Sequence, residues 1–254
     1  MASTGNSDPW WPFGAPRADG TAALVCLPFA GGGAGGYREW RRAGGLGAYD
    51  VCPLQLPGRE GRLRDAPRRR IGALVDHILA EVDPALPPAF ALFGYSMGAL
   101  IAFEWAHRRR ERGRPAPAAL FVAAAPAPHR RDLSCPVHDL PDADFKEALR
   151  HLRGTPEEVL AHDELMELLL PLLRADFEMC DTYEPAPREP LTCPILAFAG
   201  DEDPNVRPDQ LDAWGELTTG GFRAVTLPGG HFLLDVHGDR IRREIRQFDR
   251  EESA

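Results

Sequence analysis

Residues 91–100, "ALFGYSMGAL", close an apolar run with a serine held between two glycines. G-x-S-x-G is the mark of a nucleophile elbow, in which a strand, a sharp turn and a helix follow one another and the serine stands at the tip. The flanking residues have that order: "FALF" has the character of a buried strand, and "MGALIAFEWAHRRR" that of a helix. The chain has 25 glycines in 254 residues and only five serines (3, 7, 96, 134 and 253), so two glycines around one serine are rare by chance. Ser96 is therefore the candidate nucleophile. Small neighbours at 94 and 98 let strand and helix approach closely, and the helix N-terminus turns its N–H groups toward developing negative charge. The Met97 N–H becomes one oxyanion donor.

Outward from the elbow, buried-strand runs at 23–29, 49–56, 118–125, 194–200 and 222–229 alternate with helical patterns. Ile71, Leu74, Val75, Ile78, Leu79 and Val82 recur at three- and four-residue steps, as do Ile241, Ile245 and Phe248. This alternation predicts an α/β fold, a mostly parallel doubly wound sheet covered by helices. Residues 1–20, polar and rich in Gly and Pro around "WWPF", read as a loose, flexible N-terminal arm whose aromatics can tack onto the body, with no catalytic role. The core then comprises 21–132 and 188–254. Between them, 133–187 holds helical patterns only and reads as an inserted helical lid. Its "DELMELLLPLLRADF" is apolar at too many positions for one face, which fits either a helix buried on both sides or a lid lining an acyl cleft with a kink at Pro171. The insertion's place in the chain favours the lid, and Met166, Leu169, Leu170 and Leu173 are its candidate lining residues.

Composition removes several classes. A formal charge of -9 leaves no overall electrostatic footprint for nucleic acid or an anionic membrane surface. No apolar run approaches the ~20 residues of a membrane span, and the N-terminus lacks a basic n-region and apolar h-region, so a cytoplasmic monomer is expected. Five widely spaced cysteines without a CxxC pair suggest neither a disulfide framework nor a zinc site.

A second oxyanion donor should come from a loop after an earlier strand, and "LPFAGGGAGG" (27–36) supplies one: the N–H of Phe29 or Ala30. As a phosphate loop it fails, lacking the context of GxGxxG and any following GK[ST]. A serine hydroxyl needs an imidazole and an orienting carboxylate, in the order serine, acid, histidine. Histidines 77, 107, 129, 138, 151 and 162 precede the late strand at 194–200, after which the acid should lie. His231, in "LPGGHFLLD" just past the last strand, is the candidate base, while His237 reads as the start of the last helix. In "AGDEDPNV", Asp201 and Asp203 both follow a strand end, and the residues alone say only that one of them serves.

These motifs resemble the type II thioesterases that accompany polyketide synthases and nonribosomal peptide synthetases. The resemblance runs from about 22 to 248 and rests on "LPFAGGGAGGY", "QLPGREGR", "FGYSMGAL", "LRGTP" with "LLLPLLRADFEMCDTYE", "AGDEDPNV" and "LPGGHFLL" taken together. It implies an α/β-hydrolase fold, Ser96 as nucleophile, His231 as base, and Asp203, three residues after Gly200, as the orienting acid. It also implies an oxyanion hole from Met97 with Phe29 or Ala30, and hydrolysis of acyl groups from the phosphopantetheine arm of acyl or peptidyl carrier proteins to clear stalled synthases. No metal or organic cofactor is implied. Tyr95 stands where a histidine is common, and Arg153 where a glycine is common. The competing readings are a small-molecule carboxylesterase or medium-chain fatty acyl thioesterase on the same scaffold, and a non-catalytic binding protein. Carrier proteins are usually acidic, so docking needs a local basic patch; "GREGRLRDAPRRR" (58–70) and "HRRRERGR" (107–114) are the candidates.

Overall fold

The computed structural model describes residues 8–42, 46–152 and 157–252. Six strands form one sheet: β1 (Ala22–Leu27), β2 (Tyr49–Pro53), β3 (Phe90–Tyr95), β4 (Leu120–Ala123), β5 (Ile195–Gly200) and β6 (Phe222–Leu227). Their spatial order is β2-β1-β3-β4-β5-β6, and every pairing is parallel. Such a sheet is buried on both faces, which is why its strands read as continuous apolar runs. Along β1, Ala23, Val25 and Leu27 enter one core while Leu24 and Cys26 enter the other.

The first core lies beneath α2 (Ile71–Glu81), α3 (Met97–Glu111) and α7 (Pro208–Asp212). The second lies beneath α1 (Arg38–Arg42) and α8 (Leu233–Glu252), which contributes Ile241, Ile245 and Phe248. The α8 helix starts before His237, which interrupts it with non-helical dihedrals (φ -117°, ψ 15°). Its imidazole Nε2 lies 2.8 Å from the Pro228 carbonyl. The order reverses at β1: β2 lies on one side and β3 on the other, the switch point at which α/β sheets open a crevice beyond the strand carboxyl ends.

Between β4 and β5 lie α4 (Asp142–Leu152), α5 (Glu157–Leu160) and α6 (Asp163–Asp181), with no strand among the described residues there. α6 runs through Pro171 as one helix. The described part of the N-terminal stretch is not loose. Trp10 and Trp11 are buried in the first core; the Trp10 indole donates to Glu81 at 2.8 Å, and the Arg62 guanidinium stacks over it at 4.2 Å. Two indoles bury enough apolar area to anchor a short segment. All five cysteines are free. No helix among the described residues is long and apolar enough to cross a membrane.

α3 is buried almost all round, and its polar groups are correspondingly paired. Glu104 accepts from Arg108 at 2.6 Å, Arg188 at 2.8 Å and Tyr183 at 2.9 Å. Burial pushes the Glu104 carboxyl up, but these hydrogen bonds outweigh it and hold the group below its ordinary range. His107, edge-on to Phe103 at 4.5 Å, is pushed down to about 4, first by burial and then by Arg110 and Arg188. In the unfolded chain it titrates near 6.5, so the neutral native ring costs nothing above that pH. As pH falls from 6.5 toward 4, the unfolded state binds a proton that the native state refuses. We therefore expect urea unfolding to show the wild type losing on the order of 2 kcal/mol more than His107→Gln between pH 7 and pH 4.5; parallel pH dependences would contradict this.

Candidate active site

The carboxyl ends of β1, β3, β5 and β6 bring the predicted residues to one edge of the sheet. Ser96 follows β3 with φ 51° and ψ -113°, a left-handed conformation that L-residues rarely adopt. Its amide is tied to Ala123 O at 2.8 Å, and its side chain does not cap α3, so the hydroxyl stays available. The two glycines are required by space. A Cβ on Gly94 would lie 2.4 Å from Gly98 O, and one on Gly98 would lie 2.3 Å from Leu27 O. β3, α3 and the end of β1 thus meet with no room for a methyl group.

Asp203 and His231 meet at the far side of the same edge. His231 Nδ1 lies 2.8 Å from Asp203 Oδ2, and the carboxylate is fully buried. Its other oxygen accepts from Asn205 N and Nδ2, both at 3.0 Å. An imidazole whose Nδ1–H is held by a carboxylate presents its Nε2 lone pair outward. Asp201 faces elsewhere: it is exposed, and its Oδ1 accepts from Gly229 N at 2.8 Å, tying the acid's loop to the histidine's loop. Of the two aspartates that the residues alone leave open, the structure brings only Asp203 to the imidazole.

Ser96, His231, Phe29, Ala30 and Met97 all line one cleft of about 400 Å³. The backbone amides of Phe29, Ala30 and Met97 have no acceptor among the described residues. Apolar and polar groups share the wall, from Leu100 and Phe177 to Arg131 and Asp181. Cys180 also lines it, but burial pushes its thiol up to about 12, so it stays protonated.

The lid residues need correction. Met166, Leu170 and Leu173 are buried in the insertion's own core with Phe145, Leu149 and Leu160, and Leu169 packs against that core. None of the four lines the cleft. α6 reaches it further along, through Phe177, Cys180 and Asp181. The surplus of apolar positions in α6 has a plain cause: Met166, Leu170, Leu173 and Phe177 pack in the insertion's core, while Met179 and Cys180 pack against the body. Leu173 retains a link to the site, because a Cβ on Gly31 would lie 2.7 Å from its Cδ2. Of "LRGTP", only Leu152 lies among the described residues, and it lines the cleft; Arg153 lies outside them.

Sequence reasoning missed what holds the glycine-rich loop. Arg59 donates to both oxygens of Asp176 at 2.8 Å, and both side chains are buried. The same two residues grip the loop, Asp176 accepting from Gly31 N at 2.7 Å and Arg59 donating to Gly32 O at 3.0 Å. Gln55 and Glu60 accept from Ala34 N and Gly35 N at 3.3 Å and 3.1 Å. "QLPGRE" is thus the cradle of "AGGGAGG", and α6 is fastened to both. The signal was present as two family-like motifs, but nothing in the sequence says that they touch. Among the described residues, no group of three or more His, Cys, Asp or Glu side chains is placed to hold a metal ion.

The thioesterase-domain family model matches residues 22–248. The gramicidin S biosynthesis protein GrsT of Aneurinibacillus migulanus is 42% identical over 211 residues, covering 83% of this chain and 82% of its own. Thioesterase PikA5 of Streptomyces venezuelae is 35% identical, covering 91% and 82%. Among solved structures, the type II thioesterase BorB from the borrelidin biosynthetic cluster superposes with a TM-score of 0.85 at 38% identity, covering 96% of this chain and 98% of that one. A lipase-esterase related protein from Clostridium acetobutylicum, at 14% identity and a TM-score of 0.67, shares the fold alone. The architecture is that of the α/β-hydrolases.

The Arg59–Asp176 pair has a measurable consequence. Removing one partner leaves the other as an uncompensated buried charge, so Asp176→Asn should cost about 3–5 kcal/mol in chemical denaturation. The double variant Arg59→Met/Asp176→Leu should recover most of that loss. A single-variant cost below about 1 kcal/mol would show that the pair does not hold the loop.

Proposed function

The chain belongs to the thioesterase family, and we propose that it edits polyketide or nonribosomal peptide synthases by hydrolysing acyl thioesters from their carrier proteins, with Ser96, His231 and Asp203 as the catalytic triad. The observation that carries this reading is the 2.8 Å Asp203–His231 contact in the same cleft wall as an uncapped serine held at φ 51°. The relatives support the substrate: GrsT is named for gramicidin S biosynthesis, and BorB is a type II thioesterase of the borrelidin cluster.

The chemistry follows from the groups present. Ser96 Oγ attacks the thioester carbonyl carbon while His231 Nε2 takes its proton, and Asp203 steadies the imidazolium without being protonated itself. The tetrahedral oxyanion is held by the amides of Met97 and of Phe29 or Ala30, at the N-terminus of α3 where the helix dipole adds favourable potential. Collapse breaks the C–S bond, and His231 gives its proton to the departing pantetheine thiol. Water, deprotonated by the same Nε2, then attacks the acyl-Ser96 ester and releases the acid, and the proton returns to Ser96. No metal or organic cofactor of the enzyme takes part, since the carrier's phosphopantetheine brings the thioester with it.

We place the carrier at the exposed basic segment 63–70, acting on a monomeric enzyme. Arg59 and Arg62 of that run are buried, but Leu63, Arg64, Arg68, Arg69 and Arg70 are exposed. Arg69 and Arg70 pair with Glu178 of α6, one residue from the cleft-lining Phe177. In the other basic run, Arg108, Arg109, Arg112 and Arg114 pair with Asp76, Asp83 or Glu104, and Arg110 donates to backbone carbonyls at 189 and 190. Those cations hold the body together rather than facing a partner.

Initial rates on acyl-loaded carriers and on small oxygen esters test the reading. Wild-type kcat/KM should favour the carrier thioester by tenfold or more, and Ser96→Ala should lose about 10⁴-fold on both substrates. Esters turned over while carriers are untouched would replace the editing role with that of a small-molecule esterase. Separately, Asp203→Asn should lower kcat by about 10³–10⁴-fold, whereas Asp201→Asn, which loosens only a loop contact, should stay within about tenfold. The reverse order would move the orienting role to Asp201.

A further inference from the structure

Tyr95, the last residue of β3 and the immediate neighbour of Ser96, takes no part in the proposed proton transfers, yet its side chain is almost wholly buried beneath them. Because side chains alternate along a strand, it enters the second core together with Phe93, on the side of the sheet where the histidine loop crosses. Its hydroxyl donates to the His231 carbonyl and accepts from Leu233 N at 2.8 Å. Within this turn Leu233 N also donates to His231 O, at 3.2 Å. The ring stands edge-on to Phe29 of the oxyanion loop at 5.8 Å and to the His231 imidazole at 5.9 Å, and Phe232 closes the group with edge-on contacts to Phe29 at 5.7 Å and His231 at 5.9 Å.

We propose that Tyr95 is a positioning residue for the reaction, its phenol fixing the backbone of the turn that carries His231 while its ring spaces that turn from the oxyanion loop. The imidazole is held at its Nδ1 by Asp203, and the backbone of the same residue is held at its carbonyl by Tyr95. Neither restraint suffices alone: the carboxylate sets where Nδ1 points, but the depth of the ring relative to Ser96 depends on where the backbone lies. An error of about 1 Å in that depth is enough to cost a large factor in rate. The upstream side of the loop has its own ties, Asp201 to Gly229 N and Gly229 O to Glu202 N, so the phenol serves the downstream side. Burial pushes the Tyr95 hydroxyl well above its ordinary range, so it remains a donor throughout the pH range in which a histidine base works.

Because the inference rests on Ser96, His231 and Asp203 as the triad, its test carries Ser96→Ala alongside. Tyr95→Phe keeps the ring and its contacts but removes both hydrogen bonds. Measured on an acyl-loaded carrier, it should lower kcat by about tenfold with KM changed less than twofold. In an Asp203→Asn background, where the imidazole is already misaligned, the same substitution should cost less than threefold, because both act through one group. A kcat equal to wild type, an effect confined to KM, or the same tenfold loss in both backgrounds would overturn the positioning role. Should Tyr95→Phe fail to fold, amide hydrogen exchange of the wild type decides: the clamp requires a protected Leu233 amide, and exchange at the rate of an open chain would rule it out. Activity retained by Ser96→Ala would sink the triad itself, whereas activity lost there but kept in Tyr95→Phe would sink only Tyr95's part.

Discussion

Gly98 lies so close to the end of β1 that a Cβ would meet Leu27 O at 2.3 Å, and Gly94 lies as close to the first turn of α3. This double close approach is the constraint on which the site depends. It forces the turn between them to be tight, which places Ser96 at a positive φ with its hydroxyl away from the helix cap. It also presses the β1 loop against the N-terminus of α3, so that amides from two distant segments share a cleft with one serine. Strain at the elbow is tolerated because the sheet on either side is buried on both faces and cannot relax.

The rest of the site is built outward from that point by ties between loops. Arg59 and Asp176 clamp the glycine-rich loop, Asp201 joins the acid's loop to the histidine's loop, and Asn205 joins Asp203 to Leu152 O at the end of α4. None of these groups touches a reacting atom in the proposed chemistry. They supplement the few backbone hydrogen bonds that these loops make, such as Gly32 N to Phe29 O and Glu202 N to Gly229 O. The insertion is fastened at Asp176 and again where Tyr183 reaches Glu104, which leaves α4, α5 and the first half of α6 as the part with fewer ties to the body.

Much of this was legible in the sequence, and the reason differs from residue to residue. The strands could be read because a parallel sheet buries both faces and leaves continuous apolar runs. That Ser96 and His231 come to one cleft could be read because turn glycines and chain order are local signals. Asp203 could not be separated from Asp201 by the residues alone, because both follow the same strand and only the direction of the side chain decides. The resemblance to a known family supplied that choice. The Arg59–Asp176 pair is separated by 117 positions, and no periodicity reports such a contact. The leucines of α6 misled because an apolar count gives the amount of burial but not the partner, and Phe145, Leu149 and Leu160 were there to receive them. In the N-terminal stretch the aromatics marked a contact with the body, but the polar, proline-rich context gave no sign that two indoles enter the core itself.

The proposed chemistry passes through a covalent acyl intermediate on Ser96, drawn from a carrier-borne thioester. Rapid acid quench of the enzyme with an acyl-loaded carrier, followed by peptide mass spectrometry, looks for that intermediate itself. The expected result is the acyl mass on the peptide containing Ser96, absent from the Ser96→Ala variant. Turnover with no acyl mass on that peptide, or with the mass on another residue, would contradict it.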